Sequence, residues 1–388
     1  MTPDRPGEIL NEELRTVLVV DDEPGMRYAT RRILSPQYEV IEAGSGEEAL
    51  DMIGEQHFNV ALVDFRLPGI SGLELLAAIK VVSPSTDVVI MTGSAKDPDE
   101  ALLGSIRRKA FFFLRKPFSA SILETLVDRI TETQILEERL QQHARQLEDD
   151  LESARVFQQA LLPPHEWSGN RIEVAALYVP SARLSGDLID YWPLPGGGTA
   201  LLAADVMGHG ASASMITGVV KTQLHMLTAQ ERDPGRVLHL LDLALHNLTR
   251  DRFLTAFLLI DDLTAGEIRY CGAGHPPGIL RTPDGKILPI ESEGIPLNLP
   301  LPDHPERAGS TLARQEGTRI FLSTDGFGDA TSPEDIHLSE TPGYRRLIED
   351  CLRVRPAEAR DRLEEALLDH TQRMPQNDDR AFLVAELL

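Results

Sequence analysis

The sequence predicts two globular domains, an α/β domain built on a five-stranded, doubly wound parallel sheet and an α+β sandwich, with a long helix between them. Three observations predict this fold class. Five short apolar strands alternate with helical patterns between residues 16 and 114, as in parallel sheets covered by helices. Residues 119–162 contain neither proline nor glycine, which favours one continuous helix. Beyond residue 170, strand-like segments cluster between pairs of helical segments, which is typical of an α+β domain.

Composition restricts the possible classes of function. The chain has 388 residues, enough for two domains with sizeable cores, and a formal net charge of −23. Affinity for a phosphate backbone depends on clustered Lys and Arg. The charge therefore argues against a DNA-binding regulator, against other nucleic-acid partners and against anionic membrane surfaces. The two cysteines, Cys271 and Cys351, imply no disulfide framework and suit a reducing compartment.

Targeting and membrane signals are not found in the sequence. Residues 1–13 are polar and acidic, without the basic region and apolar stretch of a secretory signal. A run of about 18 apolar residues, which a spanning helix would need, does not occur. We therefore expect a cytoplasmic protein that does not enter a membrane.

Polar side chains follow the strands of the first domain at the points where these strands end. The strand-like segments are Thr16–Val20, Tyr38–Glu42, Asn59–Val63, Asp87–Met91 and Ala110–Leu114. The polar residues at their carboxyl ends are Asp21, Asp22, Asp64, Thr92 and Lys116. One aspartate after a strand is usually a helix cap or a turn residue. Three acids, a hydroxyl and a lysine at one edge of a parallel sheet instead predict a shared site.

Residues 15–130 resemble the receiver domain of two-component response regulators. The resemblance implies that Asp64 is phosphorylated by a sensor histidine kinase or a phosphotransfer protein, and that Asp21, Asp22 and Asp64 hold Mg²⁺. It also implies that Thr92 bonds the phosphoryl oxygens and that Lys116 pairs with their charge. The switch aromatic of the family falls at Phe113, where the hydroxyl of a Tyr is missing. We interpret the neighbouring Phe112 as a core residue.

The segment 119–162 has the pattern of a coiled coil. Two seam positions recur every seven residues: Leu126, Thr133, Leu140, Leu147, Ala154 and Leu161 at one, and Leu123, Ile130, Glu137, Ala144, Leu151 and Gln158 at the other. Most are apolar, while Glu137 and Gln158 interrupt the seam, so we expect a homodimeric coiled coil of modest stability. The alternative is a single amphipathic helix that lies on its own domains. Pro163 and Pro164 should end the helix.

Four aspartate motifs in the second half of the chain predict a metal site. They are Ser185–Asp190 (SGDLID), Asp205–Gly210 (DVMGHG), Thr324–Gly326 (TDG) and Asn377–Asp379 (NDD). Each places an acid at the end of an apolar run or beside a glycine turn. Two carboxylates about 5 Å apart repel by roughly 3 kcal/mol at an effective dielectric constant of 20. Convergence of several would require a hard divalent cation with oxygen ligands, Mg²⁺ or Mn²⁺, which predicts a metal-dependent hydrolase.

The sequence of the second domain predicts strands that cluster between pairs of helices. The expected strands are Ile172–Tyr178, Thr199–Ala204, Thr255–Ile260, Glu267–Cys271, Gly278–Arg281, Thr318–Ser323 and Arg380–Glu386. The expected helices are Met215–Gln230, Pro234–Thr249, Gly343–Leu352 and Pro356–Gln372. We interpret the glycines at 196–198 as a hairpin turn, because a strand-like segment follows them.

Residues 163–388 resemble the RsbU/SpoIIE-type branch of the PPM metal-dependent Ser/Thr protein phosphatases. Besides the acids, the match includes Leu161-Leu162-Pro163 at the end of the helix and Ala273-Gly274-His275-Pro276-Pro277 after a strand. Ser185 replaces the first Gly of the usual Gly-Gly-Asp, and Ala381 replaces a common Thr after the last acid pair. Neither departure removes a ligand.

The resemblance implies two bound ions, Mn²⁺ or Mg²⁺. Asp205 would bridge them, and Asp325 and Asp378 would complete the first position. The Val206 carbonyl would serve the second position, together with Asp187 either directly or through a water molecule. A water activated between the two ions would attack the phosphoserine phosphorus in line.

Other polar residues near these motifs are expected to support the site. We interpret Asp190, Asp329 and Asp379 as supporting or surface acids, and His275 as a residue that shapes a loop beside the site. His209, between two glycines, is interpreted as part of a backbone turn.

Together the two resemblances imply a receiver-regulated, metal-dependent protein serine/threonine phosphatase. Its substrate would be a phosphoserine or phosphothreonine on an anti-anti-sigma protein of the STAS type, in a partner-switching circuit. The alternative is a non-catalytic, receiver-gated adaptor that binds a sigma-factor regulator. The sequence leaves open the choice between Mg²⁺ and Mn²⁺, the identity of kinase and substrate, and the sign of regulation.

Overall fold

The structure is a computed structural model that describes residues 14–93, 112–208, 210–246, 248, 252–291, 294–300 and 306–388. The chain divides into two compact units, and the boundary falls between Arg145 and Gln146. Each unit is described by itself below.

The N-terminal unit contains a five-stranded parallel sheet of strand order β2-β1-β3-β4-β5. Its strands are β1 (Thr16–Val20), β2 (Glu39–Ala43), β3 (Val60–Asp64), β4 (Asp87–Thr92) and β5 (Phe112–Arg115). The described helices are α1 (Pro24–Leu34), α2 (Gly46–Glu55) and α3 (Gly72–Val82). The apolar runs in β1 and β3 are fully buried because the sheet is covered on both faces. This confirms the predicted α/β class.

Phe112 was expected in the core, and this expectation is wrong. Its side chain is 49% exposed, whereas Leu114 on the same face of β5 is 5% exposed. β5 is an edge strand and Phe112 is its first residue, so the sheet covers it on fewer sides.

A single helix of 42 residues, α4 (Ala120–Leu161), follows β5 and confirms that the linker is helical. It ends two residues before Pro163, as expected from the two prolines. Its first turns belong to the core of the N-terminal unit, where Leu123, Val127 and Ile130 are completely buried.

The predicted coiled-coil seam is therefore too long at both ends. Leu123 and Ile130 pack against the sheet of the N-terminal unit instead of a partner helix. Near the other end, Gln158 is 6% exposed because it packs within the C-terminal unit. The middle of the seam remains exposed, including Leu140 and Leu147 at 72% and 60%.

The C-terminal unit is a sandwich of two sheets with helices outside, which confirms the α+β class. One sheet has the order β14-β11-β10-β9-β8 and the other β13-β12-β15-β16-β7-β6. The strands are β6 (Glu166–Gly169), β7 (Ile172–Val179), β8 (Asp187–Pro193), β9 (Thr199–Val206), β10 (Leu254–Asp262), β11 (Glu267–Ala273), β12 (Gly278–Arg281), β13 (Ile287–Ile290), β14 (Ser310–Ala313), β15 (Arg319–Ser323) and β16 (Arg380–Leu387). The helices are α5 (Ala211–Thr228), α6 (Pro234–His246), α7 (Asp325–Gly328), α8 (Tyr344–Cys351) and α9 (Pro356–Thr371), with a 3₁₀ turn at Leu338–Glu340.

Three apolar layers hold this unit together. The inner faces of the two sheets pack on each other through residues such as Ile189, Phe257 and Leu383. The outer face of the first sheet is covered by α5 and α6, and that of the second by α8 and α9. The carboxylates of interest lie at the edge of this sandwich.

The hairpin of β8 and β9 was only partly predicted. The two strands are antiparallel and turn at Gly196–Gly198, as the glycine run indicated. β8 itself was missed, because Asp187 and Asp190 interrupt its apolar pattern. In the described part of the chain, no helix is both long and apolar enough to cross a membrane.

Candidate active site

The β8–β9 hairpin brings two of the predicted metal ligands together. Asp187 begins β8 and lies directly opposite Asp205 near the end of β9. Asp205 in turn lies opposite Thr255 on β10. Asp187 is 2% exposed, so the pair stands at the buried end of the first sheet.

The second sheet supplies the other two acids. Asp325 is the first residue of α7 and lies two residues after the end of β15, and Asp378 lies two residues before β16. β15 and β16 are antiparallel neighbours, so both acids lie at one end of the sheet. The Thr324 hydroxyl donates a 2.6 Å hydrogen bond to Asp187 Oδ2, which joins the acid ends of the two sheets.

These carboxylates influence one another electrostatically. Burial, together with repulsion from Asp205, raises the pKa of Asp187 well above its ordinary value. Burial and repulsion from Asp325 and Asp378 raise the pKa of Asp205 to about 7. The pKa of Asp325 is also raised, first by burial and then by Asp378. The charged form of the cluster is therefore costly without a compensating cation.

The residues fit a hard divalent cation by donor chemistry. All four side chains are carboxylates, the donors that Mg²⁺ and Mn²⁺ prefer. A cation would remove the repulsion that contributes to the raised pKa values of Asp187, Asp205 and Asp325. As placed, however, no three His, Cys, Asp or Glu side chains among the described residues form a ready metal-binding group. The four acids predicted from the sequence lie at this edge of the sandwich.

The loop before Asp187 is held by an acid whose partners the sequence did not reveal. Asp379 is 4% exposed, and its Oδ1 accepts hydrogen bonds from the Ser181 amide (2.7 Å) and hydroxyl (3.0 Å). Its Oδ2 accepts one from the Gly186 amide (3.1 Å). The Ser185 hydroxyl accepts a hydrogen bond from the Asp187 amide (3.0 Å), so this departure from glycine stabilises the turn.

Gly186 lies against the loop that carries Val206. A Cβ atom on Gly186 would stand 2.6 Å from the Val206 carbonyl oxygen and 2.7 Å from the Gly208 carbonyl oxygen. The Val206 amide also donates to the Gly186 carbonyl (3.1 Å). Only glycine allows the two loops to approach this closely.

His275 ties the two sheets together beside the acids. Its Nε2 lies 3.1 Å from the Ser323 carbonyl oxygen, which can only accept, so Nε2 carries the proton. Nδ1 is then the acceptor for the Thr255 hydroxyl at 2.8 Å. Burial lowers the pKa of His275 to about 4, which agrees with this neutral form. His275 thus links β10 and the end of β15 beside the acids.

Two other acids near the motifs differ in their surroundings. Asp190 is 1% exposed and pairs with Lys221 (3.0 Å) and His225 (2.9 Å). The side chain of Asp329 is 58% exposed. His209 lies outside the described residues.

The N-terminal unit has its own acidic site at the carboxyl edge of the parallel sheet. Lys116 Nζ lies 2.6 Å from Asp21 Oδ2 and 2.5 Å from Asp64 Oδ1. Burial opposes the charge on Lys116, but the hydrogen bonds that it donates to both carboxylates outweigh this effect and raise its pKa. Gly72, at the start of α3, lies so near Asp64 that a Cβ atom would stand 2.2 Å from the Asp64 carbonyl oxygen.

The remaining receiver residues lie around this pair. The carbonyl of Thr92, at the end of β4, accepts a 2.7 Å hydrogen bond from the Lys116 amide. Asp22 is exposed directly after the buried Asp21. Phe113 packs, partly buried, against the core on one face of the sheet. The structure therefore brings Asp21, Asp64 and Lys116 into contact and places the others beside them.

Comparison with known families agrees with both units. A family model described as Stage II sporulation protein E (SpoIIE) matches residues 195–388, which is half of the chain. The chain belongs to the SpoIIE family. A second model, the response regulator receiver domain, matches residues 17–128. The protein thus joins a receiver domain to a SpoIIE domain, as the sequence motifs predicted.

Individual relatives cover parts of the chain. It is 26% identical over 243 residues to phosphoserine phosphatase RsbP of Bacillus subtilis (strain 168), an alignment covering 61% of this chain and 58% of RsbP. It is 32% identical over 85 residues to sporulation initiation phosphotransferase F of the same organism, covering 22% of this chain and 66% of that protein. The chain thus spans less than two thirds of either relative.

A solved structure shares the fold of the SpoIIE domain. The SiaA-PP2C domain of Pseudomonas aeruginosa superposes with a TM-score of 0.55 at 19% identity, covering 63% of this chain and 98% of that domain. At this identity the likeness shows the PP2C fold alone. It agrees with the two-sheet sandwich that carries the four aspartates.

Proposed function

We propose that the SpoIIE domain is a metal-dependent protein serine/threonine phosphatase, controlled by phosphorylation of the receiver domain at Asp64. The observation that carries this proposal is the group of Asp187, Asp205, Asp325 and Asp378 at one edge of the sandwich. Burial and mutual repulsion raise the pKa values of three of them, Asp187, Asp205 and Asp325. Membership of the SpoIIE family and the likeness to RsbP support the same reaction.

The chain would hold two divalent ions, Mn²⁺ or Mg²⁺. Asp205, Asp325 and Asp378 would hold one, and Asp187 with the Val206 carbonyl the other, with Asp205 shared. Bound there, the ions would lower the pKa of a water molecule and neutralise charge on the phosphoryl group. The Thr324 hydroxyl orients Asp187, and Asp379 holds the loop that delivers it.

The receiver domain would supply the regulation. Phosphorylation of Asp64 adds charge beside Asp21, so Mg²⁺ held by Asp21, Asp22 and Asp64 is needed to compensate it. Lys116 already pairs with Asp64 and would pair with the phosphoryl oxygens, with Thr92 and Phe113 as the responding residues. A sensor histidine kinase or a phosphotransfer protein would be the donor.

The proposed substrate is a phosphorylated STAS-type anti-anti-sigma protein in the cytoplasm. Support comes from the family of the SpoIIE domain and from its pairing with a receiver domain, which together fit a partner-switching circuit. We also propose that the protein acts as a homodimer through the exposed part of α4.

The test is Mn²⁺-dependent release of phosphate from a phosphorylated STAS-domain protein. Asp378→Asn should lower the rate by about a hundredfold or more, roughly 2.7 kcal/mol of transition-state stabilisation, because a ligand charge is lost. The matched control is Asp369→Asn, an exposed acid on α9, which should leave the rate unchanged. Full turnover in Asp378→Asn would contradict the ligand assignment. No release by the wild-type chain would favour a receiver-gated adaptor.

A further inference from the structure

The last turns of the linker helix contain a buried glutamine that serves no predicted purpose in a coiled coil. Gln158 is 6% exposed, and both ends of its amide are engaged by one residue of the SpoIIE domain. Its Nε2 donates to the Ser185 carbonyl (2.8 Å), and its Oε1 accepts from the Ser185 amide (3.2 Å). The side chain thus pairs with the Ser185 backbone as a neighbouring strand would.

Ser185 is a critical place to hold the chain. Asp187 follows two residues later, and the intervening Gly186 packs against the Val206 carbonyl oxygen. Of the two proposed donors of the second metal position, Asp187 therefore lies two residues after the backbone that Gln158 holds. The other, the Val206 carbonyl, packs against the residue next to that backbone. Ser185 itself is completely buried, so water cannot replace Gln158 without a rearrangement.

Separate contacts fix the end of the helix near the site. Lys221 of α5 donates to the Leu161 carbonyl, one of the free carbonyls at the helix end, and also pairs with the buried Asp190 at 3.0 Å. The helix also contacts the loop that carries Ser185 through an ion pair of 2.5 Å between Glu148 and Arg183. Gln158 is thus held in a defined position relative to Ser185.

We propose that Gln158 is a positioning residue for the metal position formed by Asp187 and the Val206 carbonyl, so that docking of the helix end sets how tightly this position holds a divalent ion. The inference rests on the proposed function in one respect, the role of Asp187 as a ligand. Replacing Gln158 by an apolar residue of similar size would leave the Ser185 amide and carbonyl buried without partners. The loop would relax to satisfy them, and Asp187 would move with it.

The experiment measures Mn²⁺ binding to the full chain by calorimetry and by electron paramagnetic resonance, without substrate. Wild type should bind two ions in the SpoIIE domain, besides the one proposed for Asp21, Asp22 and Asp64 of the receiver domain. Gln158→Leu should weaken one of the two by about tenfold, the usual effect of losing a contact that orients a ligand, and leave the other within about twofold. The matched control is Gln159→Leu, the exposed neighbour on the same helix turn, which should bind both ions as wild type does.

A kinetic measurement separates positioning from general damage. In Gln158→Leu, the Mn²⁺ concentration for half-maximal phosphate release should rise, while kcat at saturating Mn²⁺ stays near that of wild type. Should Gln158→Leu fold poorly, Gln158→Met offers the same loss of hydrogen bonds with an unbranched side chain. Wild-type affinity at both positions in these variants would overturn the inference. Equal weakening at both positions with a lower melting temperature would also overturn it.

The same measurements distinguish failure of the proposed phosphatase function from failure of the positioning role. If wild type binds two Mn²⁺ ions but releases no phosphate, the phosphatase assignment fails, while selective weakening in Gln158→Leu would still support the positioning role. If wild type binds no Mn²⁺ beyond the ion of the receiver domain, both the phosphatase assignment and the positioning role are wrong.

Discussion

At the scale of single residues, His275 illustrates how a titratable group can be useful by staying neutral. Its two ring nitrogens have opposite roles, donor to the Ser323 carbonyl and acceptor from the Thr255 hydroxyl. A proton on Nδ1 would turn the acceptor into a donor and break the second contact. Because Thr255 lies opposite Asp205 and Ser323 precedes Thr324, the neutral ring spaces the two sheets at the acid edge.

A dependence of stability on pH follows from this arrangement. The pKa of His275 is lowered from 6.5 to about 4 in the folded chain, so the unfolded chain binds the proton more readily. Its contribution is therefore complete above about pH 6.5 and is lost as the pH falls towards 4, by up to about 3 kcal/mol. Urea unfolding of wild type and His275→Gln between pH 7 and pH 4 measures this difference.

The control for this prediction is Thr255→Val, which keeps the histidine but removes the hydroxyl. Without a donor to Nδ1, the ring should take up a proton more easily in the folded chain, so its pKa should lie nearer 6.5. The loss of stability should then be smaller than in wild type and should level off at a higher pH. Parallel curves for wild type and His275→Gln over the whole range would show that His275 does not titrate on folding.

Residues that act through local pattern could be found from the sequence, and residues that act over long separations could not. The four aspartates were visible because each ends an apolar run or borders a glycine. Gln158 was interpreted as a defect in the coiled-coil seam, since its partner Ser185 is 27 residues away and bonds through its backbone. Asp379 could be placed near the site, but its hold on Ser181, 198 residues earlier, needed the fold.

At the scale of elements, strands with a clean apolar pattern were predicted closely and interrupted ones were not. β1 was expected at Thr16–Val20 and lies there. β8 contains two buried aspartates. Asp190 pairs with Lys221 and His225, whereas Asp187 is repelled by Asp205. A pattern of hydrophobicity cannot predict either arrangement. The coiled-coil seam of α4 was also predicted from spacing alone. Burial within each unit, and not heptad spacing, decides which seam positions are exposed to a partner helix.

The exposed middle of α4 leads to a prediction about assembly. Leu140 and Leu147 lie one heptad apart and are 72% and 60% exposed, which favours burial against a second helix. Changing both to Lys should raise the dimer dissociation constant by about tenfold or more, since charge would replace two apolar contacts. Sedimentation equilibrium of the full chain measures this constant.

Leu136 provides the matched control, because it is 66% exposed on the same helix but lies outside both seam positions. Leu136→Lys should associate as wild type does. The same molar mass for all three chains over a wide concentration range would rule out this seam as the dimer contact.

At the scale of the whole molecule, one chain contains two acidic sites with different charge balance. In the receiver site a lysine already lies between two acids, whereas the acids of the SpoIIE domain repel one another. The receiver site is therefore suited to a change of charge, and the SpoIIE site to a bound cation. This difference agrees with the division into a regulatory and a catalytic domain that we propose.

Asp64→Asn tests that division. The substitution removes the proposed acceptor of the phosphoryl group, so acetyl phosphate should no longer change the rate of phosphate release, in whichever direction it acts on wild type. The basal rate should stay within about twofold, because Asp64 lies in the other unit. Rates with and without acetyl phosphate give the measurement.

Asp51→Asn, an exposed acid on α2, is the control and should respond as wild type does. An undiminished response in Asp64→Asn would mean that acetyl phosphate acts elsewhere on the chain.

The end of β15 has a further consequence for how this domain tolerates change. Three consecutive residues serve three different contacts there: Ser323 binds His275, Thr324 binds Asp187, and Asp325 is a candidate ligand. A shift that accommodates one substitution displaces the other two, so effects measured singly at His275, Thr324 and Asp187 should not add. Residues at this edge should therefore change together in evolution. A substitution that is harmless in one sequence of this family can abolish activity in another.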